Sequence, residues 1–116
     1  MNDLNISKRR SGDVTVLDME GHVRIGEDTI AFRNTIHLLV KEGKTKILLN
    51  LAGVTQIDSC GLGELISSYV ALDELGGAVK LVHLTERVRD VMTITKLVTV
   101  FDIYDDEPAA VASFAA

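Results

Sequence analysis

The chain has 116 residues, 47% of them apolar, a net charge of -5 and one cysteine. That is length enough for one domain with an ordinary core, built mainly from Val, Leu, Ile and Ala, since aromatic residues make up 4% and Trp is absent. Lys and Arg number 8 against 7 acids over residues 1–46 and 4 against 10 over residues 47–116, which leaves no basic stripe for nucleic acid.

Leu4-Asn5-Ile6-Ser7-Lys8 alternates apolar and polar, the pattern of a half-buried strand. Ser11-Gly12-Asp13 is a turn signal, and Val14–Met19 is its β-rich hairpin partner. Lys8-Arg9-Arg10 reads as a solvated strand end. Gly21 is expected to end the second strand, leaving His22 to Gly26 irregular and Arg24 exposed. Glu27 and Asp28 suit the first turn of a helix, because acids favour the positive end of its dipole. Phe32, Ile36, Leu39 and Val40 then form one apolar stripe, and Gly43 suits the C-terminal cap.

The apolar run Ile47–Leu51 reads as a strand buried on both faces, and Ala52 to Ile57 as the segment that carries the chain onward. A helical period starts after Asp58-Ser59-Cys60-Gly61, with Leu62, Leu65, Ile66, Tyr69 and Leu72 recurring on one side. Leu65 is expected in the core; Leu62, nearer the helix start, is expected to be partly exposed. Gly76-Gly77 supplies the cap and turn, and Ala78–Leu84 the next strand. Thr85 suits an N-cap, followed by a stripe of Val88, Val91, Met92 and Thr95. Val98–Ile103 reads as a short strand. Asp105-Asp106-Glu107-Pro108 is a helix start, leading to a terminal helix with Val111 and Phe114 facing in.

The order is therefore β-β-α-β-α-β-α-β-α. Strands alternating with helices give an α/β fold with a mostly parallel sheet of four to five strands, about four helices, and a hairpin that makes the sheet mixed. The helix after Ile57 begins at the carboxyl end of the central strand, where such folds place their sites. Its first backbone N–H groups lack partners inside the helix and can receive an anion. Ser59 or Asp58 can fill the N-cap. Gly61 and Gly63 allow close backbone approach, either to a partner or to a neighbouring strand.

Asn50-Leu51, Val54 and Ile57-Asp58-Ser59-Cys60-Gly61-Leu62-Gly63 resemble the signature of the STAS domain of bacterial anti-sigma factor antagonists. The element order, Gly21 and Gly76-Gly77 match as well, so that residues 1–116 read as a single STAS domain. The resemblance implies a non-enzymatic switch. The unphosphorylated antagonist binds an anti-sigma factor that is also a serine/threonine kinase and frees a sigma factor. Phosphorylation of the serine, here Ser59, abolishes binding, and a phosphatase restores it. Asp58, Cys60, Gly61, Leu62, Gly63 and Arg24 fall among the implied partner contacts. The chain departs from the family where Cys60 replaces a frequent second serine, and where the loop after Gly21 reads His22-Val23-Arg24-Ile25-Gly26 rather than carrying an acid.

Two alternatives stand beside this expectation. One is a STAS subunit of a stress-signalling scaffold or lipid-transport complex. The other is a small α/β thiol enzyme using Cys60, since reactive thiols occur at helix starts; it would need His22, His37 or His83 beside the sulfur. The histidines have no metal-ligand spacing, and no cofactor is implied. The absence of a signal-peptide pattern at Met1-Asn2-Asp3, of a disulfide pair and of any run of about 18 apolar residues points to a cytoplasmic protein. Its net charge of -5 and lack of a long apolar patch point to a monomer.

Overall fold

The computed structural model describes residues 4–115. β1 (Leu4–Ser11) and β2 (Val14–Val23) form the expected antiparallel hairpin, with Leu4 opposite Gly21 and Ser11 opposite Val14. Gly21 does not end β2. Its φ of +109° is absorbed by irregular pairing, with register shifts between Asp18 and Glu20 and between Gly21 and His22. The neighbouring strand, β3 (Lys46–Ile57), likewise runs through the segment read as a connection. Gln56 and Ile57 pair with His22 and Val23, so each strand supplies the backbone partners that keep the other extended.

α1 (Glu27–Lys41) buries Phe32, Ile36 and Leu39, with Val40 half-buried. It closes where the Gly43 and Lys44 N–H groups donate to the carbonyls of Val40 and Leu39. α2 (Ser59–Glu74) buries Leu62, Leu65 and Leu72. β4 (Ala78–Val82) stops short of Leu84, because His83 turns into the left-handed region at φ 58°. Thr85 then caps α3 (Glu86–Ile94): its Oγ1 accepts from the Val88 N–H and donates to the Val54 carbonyl at 2.8 Å. Val88 and Met92 are buried, but Thr95 is exposed, its hydroxyl donating to the Val91 carbonyl instead of joining the stripe.

The expected strand Val98–Ile103 is mostly absent. A left-handed Lys96 and a 3₁₀ turn at Leu97–Thr99 fold this stretch over the core, burying Phe101 edge-on against Tyr69 with 5.2 Å between ring centroids. Only β5 (Ile103–Tyr104) pairs, with Leu81 and Val82. α4 (Glu107–Ser113) follows, capped by Asp106 and buried through Ala110. Phe114 is buried and Val111 half-buried.

The sheet has five strands in the order β1-β2-β3-β4-β5, with β2 to β5 parallel and β1 antiparallel. Side chains from α1, α2 and α3 join Leu17, Met19, Leu49, Leu51 and Leu81 in the main core. α4 covers the other face, where Ala110 and Phe114 meet Val14, Val16, Leu48 and Val82. Each fully buried Leu of this kind stabilises the fold by about 1.5–3 kcal/mol. Among the described residues no helix is long and apolar enough to cross a membrane.

Lys8, Arg9 and Arg10 are exposed at the end of β1, as expected, and Arg9 also carries a tie that the sequence did not show. Its Nε donates to Asp18 at 2.7 Å and its Nη1 to Glu107 at 2.8 Å, tying β1 to β2 and to α4. Asn50 Nδ2 donates to Asp18 Oδ1 at 2.7 Å and extends the tie to β3.

Candidate functional site

The parallel direction of β2, β3 and β4 brings three chain reversals to one edge of the sheet: residues 24–26, Asp58 and residues 83–85. At the middle one Asp58, with extended backbone, caps α2. Its Oδ1 accepts from the Gly61 N–H and its Oδ2 from the Ile25 N–H, both at 2.9 Å. Its own N–H donates to the Val23 carbonyl at 3.2 Å. One side chain thus fastens the end of β2 to the start of α2. The Ile25 N–H foremost, then those of Gly61 and Cys60 and the charge of Arg24, hold the Asp58 carboxyl below the usual carboxylate range.

Capping therefore falls to Asp58, and Ser59 is the first residue of the helix, exposed. Cys60 is next, a free and exposed thiol. The three histidines lie on β2, on α1 and just beyond β4, and among the described residues no group of three His, Cys, Asp or Glu could hold a metal.

The two glycines differ. A Cβ on Gly61 would stand 2.2 Å from the Val23 carbonyl oxygen, so α2 meets β2 backbone to backbone there. A Cβ on Gly63 would meet nothing within 4 Å outside its own helix backbone, so no close approach among the described residues explains that glycine. Leu62 corrects the expectation of partial exposure: only 7% exposed, it belongs to the core and supports the helix start from below. Arg24, expected to be exposed, is half-buried, since its segment is held by the Ile25–Asp58 bond and by its own N–H, which donates to Asp28 in the first turn of α1 at 3.4 Å.

Ser59, Asp58, Cys60 and Arg24 are thus brought to one edge. Sequence reasoning named one neighbour, Ile25, only as part of the loop after Gly21, and missed another, Arg87. Ile25, 73% exposed, is held beside the helix start by its N–H. Arg87 reaches a groove of about 240 Å³ at this edge from α3. Parallel strand direction was the available signal, because it sends the start of α3 to the same edge as the start of α2.

A mixed five-stranded sheet, with an exposed serine opening a helix at its carboxyl edge, defines a STAS-type α/β domain. The family model for the STAS domain matches residues 5–110, and the chain belongs to that family. It is 39% identical over 66 residues to a protein of Thermotoga neapolitana named as a candidate anti-sigma factor antagonist. That match covers 57% of this chain and 58% of the relative, less than two thirds of its length. A candidate anti-sigma factor antagonist from Thermotoga maritima, solved by crystallography, superposes with a TM-score of 0.85 at 26% identity over 96% of this chain and 95% of its own. The Bacillus cell fate determinant SpoIIAA, solved in its phosphorylated form, shares the fold with a TM-score of 0.72 at 18% identity, over 94% of this chain and 98% of its own.

Proposed function

We propose that this chain is an anti-sigma factor antagonist whose binding is switched by phosphorylation of Ser59. Unmodified, it binds an anti-sigma factor with serine/threonine kinase activity and so frees a sigma factor. The kinase phosphorylates Ser59, the complex dissociates, and a phosphatase resets the protein. The role is regulatory rather than enzymatic, and the working unit is one STAS domain acting as a monomer.

The observation that carries this reading is the placement of Ser59: exposed, at the first position of a helix whose cap is supplied by its neighbour. The names of the Thermotoga relatives support the antagonist role. The physics suits a switch. A phosphate brings about −1.5 to −2 charge and three acceptor oxygens. The helix dipole favours that charge by roughly 0.3–1 kcal/mol, so the fold survives it. A docked partner would have to desolvate it beside the Asp58 carboxylate, which costs several kcal/mol without a matching cation.

The test is intact-mass spectrometry after incubation with ATP and the anti-sigma factor kinase encoded in the same genome, followed by calorimetric titration. One phosphate is expected on the wild type and none on Ser59→Ala, which keeps its fold and most of its binding. Ser59→Asp is expected to fold and bind more weakly. Equal phosphorylation of Ser59→Ala, or wild-type affinity of Ser59→Asp, would return Ser59 to a plain first-turn residue.

A further inference from the structure

The groove at the carboxyl edge is lined by Arg24, Gln56, Ile57, Asp58, Arg87 and Val91. Ile57 and Val91 pack on the main core and give it an apolar wall. Arg24 lies near enough to Asp58 for the two charges to act on each other. Arg87 is exposed and, among the described residues, forms no hydrogen bond or ion pair. The contrast with other arginines is direct: Arg9 holds Asp18 and Glu107, Arg33 holds Glu64, and Arg89 holds Asp105.

The position makes this isolation more telling. Arg87 sits in the first turn of α3, where the helix dipole disfavours a cation. Fold stability alone gives no reason for a guanidinium there. Asp58 cannot quench it fully, because both of that residue's carboxylate oxygens already accept backbone N–H groups and its charge is shared with Arg24. Arg24 is engaged beside Asp28, which its own N–H faces, so Arg87 is the groove's cation without a side-chain partner among the described residues, in a half of the chain that carries 4 basic against 10 acidic residues.

We infer that this groove receives a carboxylate side chain of the protein partner, with an adjoining apolar residue seated on Ile57 and Val91. A guanidinium fork matches a carboxylate in two parallel hydrogen bonds, and Gln56 adds an amide donor at the same place. The inference rests on reading the chain as a partner-binding antagonist and adds the chemistry of the partner. It also gives the Ser59 phosphate something to act against. A dianion one residue from Asp58 repels an incoming carboxylate and competes with it for the arginines.

The test uses the full chain and the purified anti-sigma factor kinase, titrated at two salt concentrations. Arg87→Gln and Arg24→Gln are expected to weaken binding about tenfold, and Arg87→Glu roughly thirty-fold or more, with a smaller dependence on salt. Lys96→Glu, a cation beyond the far end of α3, should bind as the wild type does. Thermal unfolding of the Arg87 variants should match the wild type, which separates lost binding from lost fold. Wild-type affinity in Arg87→Glu while Ser59→Asp binds weakly would overturn the groove and leave the switch standing. No binding by the unmodified wild type would overturn both. If Arg87→Glu altered only the affinity of the phosphoprotein, the groove would serve the Ser59 phosphate within the chain, and the partner-carboxylate inference would fall.

Discussion

The α4 face and the carboxyl edge of the sheet use charge in opposite ways. On the α4 face, Arg9 is held by two carboxylates, one of them also bound by Asn50, and four elements are joined. The Arg9 hydrogen bond is the main reason that Asp18 and Glu107 both titrate below the usual carboxylate range. At the carboxyl edge the ties are made to main chain: Asp58 to the N–H groups of Ile25 and Gly61, and Thr85 to the Val54 carbonyl. The Arg87 side chain there has no partner among the described residues. One region spends its ions on internal cohesion, and the other keeps its shape through the backbone and leaves the Arg87 cation facing outward.

The harshest way to break this contrast is from beneath the edge. Leu65, fully buried under the start of α2, should cost about 2–5 kcal/mol when replaced by Ala, read by urea unfolding. A small loss would mean that the helix start is not seated on a tight core, and that the main-chain ties do less than the geometry suggests. Next comes the cap itself. Asp58→Ala should cost about 0.5–2 kcal/mol and loosen residues 24–26, seen as faster amide exchange at Ile25.

Acid should strike both regions. Asp18, Asp58 and Glu107 all titrate below their ordinary values when folded. Their contribution is therefore complete above the unfolded carboxylate range, about pH 4, and is lost as pH falls through the lower folded values. Unfolding measured from pH 7 to pH 2 should show stability level in this respect down to about pH 5 and falling below pH 4. Asp58→Asn should remove part of that fall, and a variant lacking Arg9 should remove a different part.

The mildest pair sharpens the comparison most. Arg9→Ala should cost about 1 kcal/mol, the modest value reflecting a cluster that is still partly open to water. Arg87→Ala should change stability by less than about 0.5 kcal/mol, as befits an exposed side chain with no partner among the described residues. Equal losses at the two arginines, measured side by side by denaturant unfolding, would erase the distinction between a cohesive charge and an available one.

The architecture was legible because its apolar periods are unambiguous where helices pack: Phe32, Ile36 and Leu39 in α1, and Leu65 and Leu72 in α2. The long end of β3 was not, because Gly53, Thr55 and Gln56 carry no strand period, and only pairing with an irregular β2 holds them extended. The Val98–Ile103 error has the converse cause. Its β-branched residues favour a strand locally, but in the folded turn Phe101 is buried in the main core against Tyr69. At the site, Ser59 and Asp58 could be found because their meaning is local to a helix start. Ile25 was legible only as a member of its loop, and Arg87 only by following the parallel strand direction that brings the start of α3 to that edge.

The contact between Gly61 and the Val23 carbonyl has a consequence for how this scaffold can diversify. The serine's location is registered by main-chain atoms and one short acid, which leaves the neighbouring side chains at Arg24, Ile25, Cys60 and Arg87 free to change identity without displacing it. A duplicated copy could therefore exchange a few surface groups while retaining the same exposed hydroxyl in the same place. On the function proposed above, such copies are kept from cross-talk by their borders alone, with the serine common to all of them.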